Sequence, residues 1–315
     1  MAFCFKRKES VAKAVKRLGF ERNEDALKCL KKCRDSEAVH CVRKDIKKVR
    51  AVLRLVRTEI TKKSYRRQIN LLREAADQLT ATRDAYVTTA ALRDLSRHFK
   101  GQLASGAWHH IRAAMQNALV TENRRFAKDK SARKVQRLLR RQARELDELD
   151  VARKGWRAIC LGVKSSYGEG RQAYQTVLKN PTPENFHEWR KRAKDLWYQI
   201  RLLRPIWPEQ MDAMANELKE LTEYLGDDHD LVMLNEAVEK QGGGDGEFPE
   251  FESLNGLIKQ RQSELQKAAL ALGARFYAEK PAAFCARLAG YWRTWRREKK
   301  GWRSADLADA RVTGV

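Results

Sequence analysis

Apolar residues recur along this chain at the spacing of three to four positions that is typical of amphipathic helices. No stretch of useful length alternates between apolar and polar residues, so strands are not predicted. Only 6 Pro and 17 Gly occur, beside abundant Ala, Leu, Arg, Lys and Glu, which also favours helix. The predicted fold class is all-α. In the first half, the pattern predicts helices over residues 9–18, 23–34, 37–57, 64–79, 86–120 and 130–160.

Capping and polar residues set the expected boundaries of these helices. Gly19, in the C′ position, is predicted to end the first helix, and Asp35 or Ser36 is predicted to cap the third. A polar break is expected at TATRD (80–84), and a loop or bend at SSYGEGR (165–171).

Proline and glycine positions divide the second half. Thr182 is a predicted N-cap, with Pro183 in the first turn of a helix that stops before Pro205. Pro208 begins another helix, which is predicted to end at Leu225–Gly226. The remaining pattern predicts a helix over 229–238, a loop over 241–249, helices over 250–272 and 281–299, and a tail over 301–315.

Two segments resemble each other at a shift of 147 residues: 39–57 (VHCVRKDIKKVRAVLRLVR) and 186–204 (FHEWRKRAKDLWYQIRLLR). The likeness continues in residues 79–87 and 225–233, where Asp84 aligns with Asp230. We therefore predict an internal duplication, with halves of about 1–165 and 166–300. The matched polar pairs of the first two segments are His40 with His187, Arg43 with Arg190, Lys44 with Lys191, Lys47 with Lys194, Arg54 with Arg201, and Arg57 with Arg204.

Each matched segment, wound as a helix, separates its cations from its apolar residues. At about 100° per residue, the His, Arg and Lys positions lie within an arc of roughly 140°, and the apolar positions lie within another arc of about 80°. A charged helix face is usually a solvated one, but a solvated face tends to alternate in sign. These two arcs are almost purely cationic and recur in both copies, which favours a binding function. We expect the two cationic faces to line one groove.

The charge balance indicates a polyanionic partner. The 315 residues include 65 Lys and Arg against 41 Asp and Glu, and the resulting formal net charge of +24 lowers stability by self-repulsion. No run of about 18 uncharged apolar residues predicts a membrane span. The first residues lack the apolar core of a secretory signal. The chain is therefore predicted to be cytoplasmic, with its six cysteines as reduced thiols.

The cationic faces suit a linear phosphate polymer. Arg binds phosphate oxygens in pairs, Lys supplies a mobile point charge, and His donates hydrogen bonds. Donors at every helical turn, about 5.4 Å apart, match a ligand that is charged at short regular intervals. Inorganic polyphosphate and a nucleic-acid backbone both fit. No zinc-finger spacing, RRM signature or helix-turn-helix is evident, so nucleic acid is expected to bind only weakly or non-specifically.

Catalytic and metal-binding motifs are not predicted. The sequence contains no Walker loop, HExxH or paired CxxC. The enzymatic alternative is an activity on phosphoanhydrides, with His40 or His187 as general acid or phosphoryl acceptor. Cys29 and Cys33 share a helix face, which leaves a soft-metal site open, while DDHD (227–230) is interpreted as a capped turn. We expect a protein without enzymatic activity, cofactor or metal.

These motifs resemble those of the CHAD family, the conserved-histidine α-helical domain. The resemblance rests on VHCVRKDIKKVRAVL, FHEWRKRAKDLWYQIRLL and EYLGDDHDLVML, with the weaker LTATRDAYV, and it extends to about residue 297. It implies two pseudo-symmetric helical bundles around a basic central channel that binds inorganic polyphosphate. It also implies that the partners include polyphosphate granules or phosphate-metabolising enzymes.

The resemblance places a CHAD-like domain over residues 1–300 and assigns channel positions to this sequence. Two departures suggest that the halves contribute unequally: His229 stands where the first copy has Arg83, and Trp197 stands where it has Arg50. The implied polyphosphate-binding residues are His40, Arg43, Lys44, Lys47, Arg50, Arg54, His187, Arg190, Lys191, Lys194 and Arg201.

Overall fold

The computed structural model describes residues 3–32, 35–102, 105–240 and 249–298. Within these ranges the chain is helical and contains no strand, which confirms the predicted fold class. Short 3₁₀ turns at Gly155–Ala158 and Arg204–Ile206 precede α7 and α9. The helices are α1 (Val11–Lys32), α2 (Ser36–Leu55), α3 (Lys62–Asp77), α4 (Thr80–His98), α5 (Ser105–Lys128), α6 (Ser131–Asp147), α7 (Cys160–Lys179), α8 (Pro183–Leu203), α9 (Pro208–Val238), α10 (Pro249–Phe276) and α11 (Pro281–Arg297).

The caps of the two matched helices follow the sequence prediction. At the start of α2, the Asp35 carboxylate accepts hydrogen bonds from the amides of Glu37 (3.1 Å) and Ala38 (3.0 Å). At the start of α8, the Thr182 hydroxyl accepts a hydrogen bond from the Asn185 amide at 3.3 Å. Both caps satisfy amides that a helix leaves without an internal partner, so local sequence alone fixes these two starts.

Two of the predicted breaks are wrong because the glycines serve packing. Gly19 lies inside α1, where a Cβ would come within 2.1 Å of Leu146 Cδ2 on α6. The predicted bend at 165–171 lies inside α7, where a Cβ on Gly170 would meet the Tyr277 hydroxyl at 2.6 Å. A glycine in a helix costs up to about 1 kcal/mol relative to alanine, but here it permits a close approach between neighbouring elements.

Other predicted boundaries also differ from the structure. TATRD (80–84) forms the first turns of α4, and the predicted helix over 86–120 is divided between α4 and α5 near Gly101, whose φ is +85°. In contrast, α9 continues through Leu225–Gly226 and through DDHD (227–230), so neither a helix end nor a capped turn occurs there. The predicted helix over 130–160 ends at Asp147. Most of the predicted loop and all of the predicted tail lie outside the described residues.

The buried apolar residues form two clusters. The larger cluster includes residues from α1, α2, α3, α6, α7, α8, α11 and the first part of α9, and the smaller one joins α4, α5, α10 and the rest of α9. The matched helices α2 and α8 pack against each other, and the buried Gln199 amide of α8 donates a hydrogen bond to the Ala51 carbonyl of α2 at 3.4 Å. The two cationic segments are therefore held side by side by a common core.

Candidate anion-binding site

The core fixes which side of α2 and α8 is available to a ligand. Every apolar position matched between the two segments is buried, as predicted. His40, Lys44 and Lys191 are exposed, and the other predicted cations of both helices are partly buried. Each helix therefore keeps its polar residues on a separate side. The buried positions are Val42, Ile46, Val49, Leu53 and Val56 on α2, and Trp189, Ala193, Leu196, Ile200 and Leu203 on α8.

The positive charges of the two helices act on each other. Burial, and next the charge of Arg190 on α8, lower the pKa of Lys47 on α2 to about 7. Burial, and next the charge of Arg190, also lower the pKa of Lys194 to about 8, with Lys44 of α2 contributing. Burial and several cations, among them Lys194, lower the pKa of His40. A shift of this direction means that the protonated forms lack sufficient anionic compensation.

Two histidines lie close to each other where α8 packs against α9. Burial, followed by the charges of Lys191 and Arg190, lowers the pKa of His187 to about 4. Burial and the neighbouring His187 lower the pKa of His229 to about 3. The Nδ1 atom of His187 is buried and has no hydrogen-bond partner among the described residues. Both imidazoles are therefore neutral at pH 7 and retain hydrogen-bonding capacity that the protein does not use.

Helices α4 and α9 add groups that the predicted set of binding residues omitted. Burial raises the pKa of Asp230, while the charges of Arg190, Arg83 and Lys47 lower it. Burial likewise raises the pKa of Asp84, while Arg43 and Arg83 lower it. The repeat contained a signal for these positions, because Asp84 and Asp230 align and are preceded by Arg83 and His229.

Several cations are oriented by the surrounding helices. Arg43 Nη1 donates a hydrogen bond to the Ala76 carbonyl at 2.9 Å. Lys194 Nζ donates one to the Thr222 hydroxyl at 3.2 Å and lies 4.1 Å from the centre of the Trp197 ring. The Arg201 guanidinium lies 4.8 Å from the same ring. Trp197 thus holds two cations by cation–π contact at the position that corresponds to Arg50.

Arg54 departs from the predicted role. Its guanidinium forms ion pairs with Glu169 of α7 and with Asp195 of α8, the latter at 3.1 Å. Because these carboxylates already neutralise it, Arg54 joins three helices instead of offering a free charge to a ligand. Lys191 also has a carboxylate neighbour, Glu188 at 3.4 Å, but both side chains remain largely exposed.

The cysteines differ from the expected uniform set of thiols. A disulfide joins Cys29 of α1 to Cys41 of α2, with the Cα atoms 6.4 Å apart, so the prediction of reduced thiols is wrong for this pair. The sulfur of Cys29 is therefore not available to a soft metal, and Cys33 lies outside the described residues. In the part of the chain that the structure describes, no three His, Cys, Asp or Glu residues form a group able to hold a metal ion.

Comparisons with known proteins are consistent with this architecture. Residues 17–239 match the family model described as CHAD domain. PptA from Streptomyces chartreusis has a similar structure, with a TM-score of 0.61 and 13% identity over 84% of this chain and 98% of that chain. The crystal structure of the CHAD domain from the plant Ricinus communis gives a TM-score of 0.59 and 13% identity over 93% and 95% of the two chains. No curated protein matches the chain.

Among the described helices, none has the length and apolar character needed to cross a bilayer.

Proposed function

Because the chain belongs to the CHAD domain family, we propose that it binds inorganic polyphosphate along the cationic faces of α2 and α8. The observation that carries this proposal is that cations on one helix lower the pKa values of cations on the other. Above all, burial and the charge of Arg190 on α8 lower the pKa of Lys47 on α2 to about 7. Cations held this close together are stabilised when a polyanion lies between them.

The availability of these charges supports the proposal. Among the described residues, no carboxylate lies within ion-pair distance of the remaining cations of the predicted set. Asp84 and Asp230 act on some of these cations from α4 and α9 without forming ion pairs with them. The free charges extend over several turns of both helices, so a linear ligand uses more of them than a single small anion does. They are Arg43, Lys44, Lys47, Arg50, Arg190, Lys194 and Arg201.

Binding without catalysis is part of the same proposal. A general acid works best when its pKa is near the working pH. The pKa values of about 4 for His187 and about 3 for His229 leave both rings deprotonated at pH 7, so neither supplies a proton readily to a leaving phosphate. The proposed role is attachment to polyphosphate in the cytoplasm, with polyphosphate granules or phosphate-metabolising enzymes as the proposed partners.

The proposal is tested by reversing four charges together. We expect K44E/K47E/K191E/K194E to lose most of its affinity for long-chain polyphosphate in calorimetry while its circular dichroism remains helical. The matched control is K179E/K259E/K267E/R275E, which changes the net charge equally at four exposed positions elsewhere. It should bind almost as the wild type does. Equal affinity of the two variants would refute the proposed site.

Two further measurements separate this function from the alternatives. Excess DNA or RNA should displace polyphosphate only feebly, whereas efficient displacement would indicate a general binder of nucleic-acid backbones. Incubation with Mg²⁺ and polyphosphate should leave the chain length unchanged. Shortened chains would indicate an enzyme.

A further inference from the structure

The outer face of α6 is a second, separate concentration of positive charge. One side of this helix is buried, through residues that include Val135, Leu139, Gln142 and Leu146. Through this side α6 packs against α1 and α3. The orientation of the helix is therefore fixed, and the residues on its opposite side face solvent.

Four arginines occupy that opposite side. At about 100° per residue they fall within an arc of roughly 60° whose centre lies opposite the buried residues. The first and last of them are eleven residue steps apart, or about 16 Å at 1.5 Å per residue. We call this set the α6 arginine row. Its members, all exposed, are Arg133, Arg137, Arg140 and Arg144.

The arginine row has no internal compensation. Among the described residues, none of its four members has an ion-pair or hydrogen-bond partner. One flank of the row differs, because Arg141 pairs with Glu145 at 2.9 Å and Lys134 pairs with Glu74 at 3.3 Å. Paired cations therefore border the row on that side, while the row itself carries one sign of charge.

An ordinary solvated face of this protein is organised differently. The exposed side of α9 mixes signs, with Glu217, Lys219, Glu220 and Glu223, and Lys219 pairs with Glu223 at 3.5 Å. A row of unpaired arginines lowers stability through mutual repulsion and is not needed for solubility. A partner that supplies the missing negative charge accounts for the row of unpaired arginines better than solubility does.

The chemistry of the row selects the kind of partner. The apolar side of α6 is buried in the core, so this helix cannot insert its apolar side into a bilayer or into the groove of another protein. Guanidinium groups bind phosphate oxygens in pairs, and a straight row of them fits an extended phosphate chain. Because α6 packs against α1, α3 and α5, the row is separate from the site on α2 and α8.

We propose that the α6 arginine row is a second binding surface for inorganic polyphosphate, so that one protein molecule holds two stretches of polymer. The inference rests on the function proposed above. When one long chain occupies both surfaces, the second contact is intramolecular and strengthens binding. When two chains occupy them, the protein links the chains into larger assemblies.

The test compares R133Q/R137Q/R140Q/R144Q with the wild type, using tripolyphosphate and long-chain polyphosphate as ligands. Tripolyphosphate is too short to reach both surfaces, so we expect its affinity for the α2–α8 site to be unchanged. The affinity for long chains should fall at least tenfold, on the order of the gain that a second linked site provides. Light scattering from assemblies with long chains should disappear.

The matched control is K179Q/K259Q/K267Q/R275Q, which removes the same charge from exposed positions outside the row. It should retain the scattering and most of the long-chain affinity. If the row variant also retains both, or if the control loses them equally, the second surface is refuted. If the row variant loses affinity for duplex RNA or DNA but not for long-chain polyphosphate, the assignment of the row to polyphosphate is wrong.

The two proposals fail in distinguishable ways. The variant K44E/K47E/K191E/K194E should lose tripolyphosphate binding but keep residual, salt-sensitive binding of long chains through the row. Wild-type affinity of this variant for tripolyphosphate would refute the site on α2 and α8. Loss of scattering in the row variant alone would still support the row.

Discussion

The imidazole rings of His187 on α8 and His229 on α9 lie with their centroids 4.0 Å apart and their planes inclined by 44°. Burial and neighbouring positive charge hold both pKa values far below the usual range. A bound phosphate chain would reverse part of this effect, because it neutralises Arg190 and Lys191 and accepts hydrogen bonds from imidazole nitrogen. If polyphosphate binds as proposed, the titration of this pair should therefore report whether the site is occupied.

We expect long-chain polyphosphate to raise the pKa of His187 from about 4 by at least one unit, which corresponds to about 1.4 kcal/mol of preferential binding to the protonated ring. NMR titration of the histidine Cε1–H signals, with and without ligand, measures this directly. The control is K44E/K47E/K191E/K194E, in which the ligand should not move the His187 signal. An unshifted midpoint in saturated wild-type protein would contradict contact between the ligand and this pair.

The affinity for polyphosphate should decrease between pH 6 and pH 9. In the free protein, Lys47 and Lys194 lose their protons with pKa values of about 7 and about 8. A bound polyanion favours their charged forms, so binding takes up protons. Because protons are scarcer at higher pH, the affinity falls as pH rises. Calorimetry in buffers of different ionisation enthalpy measures the proton uptake. K47R should flatten the profile near pH 7, since arginine stays charged.

The stability of the free protein should follow the opposite trend. Lys47 binds a proton more weakly in the folded state than in the unfolded state, so the unfolded state carries more protons above pH 7. The free energy of unfolding should therefore rise as pH increases from 7 towards 10, where the lysine is neutral in the folded protein. Denaturant unfolding at several pH values, with K47M as reference, isolates this contribution. A decrease in the wild type relative to K47M would contradict it.

Substitutions of Arg54 and Arg50 should have different effects, R54Q on the stability of the fold and R50Q on the binding of polyphosphate. Arg54 is paired with Asp195 at 3.1 Å and with Glu169, and its side chain is only 16% exposed. R54Q therefore removes the ion-pair partner of Asp195, whereas Glu169 keeps its pair with Arg192 at 2.6 Å. We expect R54Q to lower the free energy of unfolding by about 2 kcal/mol. R50Q, at a position without such partners, should change it by less than about 0.5 kcal/mol but weaken polyphosphate binding. Urea unfolding and calorimetry on both variants measure the difference, and identical profiles would contradict it.

Asp230 is expected to limit the affinity of the site. Its carboxylate interacts with Arg190, Arg83 and Lys47 and repels an incoming polyanion. D230N should increase the affinity for long-chain polyphosphate about fivefold at pH 6, where Lys47 is still protonated. E217Q, a change at an exposed position nearer the start of α9, serves as the control and should have little effect. Weaker binding by D230N would show that Asp230 positions the cations instead.

The disulfide between Cys29 and Cys41 ties the end of α1 to the start of α2 across 12 residues. Closing a loop of this size contributes about 2–3 kcal/mol by limiting the unfolded chain. We expect C29S/C41S to be less stable by this amount, and dithiothreitol to lower the stability of the wild type but not of the variant. Stability of the wild type that does not respond to reductant would show that the bond is not formed in solution.

Local signals were enough to predict much of the fold. The apolar spacing predicted helices, and the caps at Asp35 and Thr182 were readable because a helix start depends on one side chain and the amides that follow it. The predicted helix breaks at Gly19 and around Gly170 are wrong, since a glycine can either end a helix or allow a neighbouring side chain to approach the backbone closely. Only the presence of Leu146 and Tyr277 decides which of these occurs.

The sequence by itself determined the all-helical class, the sidedness of α2 and α8, and the identity of their cations, because helical periodicity fixes which residues share a face. Only the tertiary structure decided which of those cations are free. Arg54 and Arg50 are one turn apart on the same face, yet of the two only Arg54 forms ion pairs with Asp195 and Glu169. Electrostatic interaction depends on distance in space. Arg190 and Lys47 are 143 residues apart in the chain, so Arg190 lowers the pKa of Lys47 only because α2 and α8 pack together.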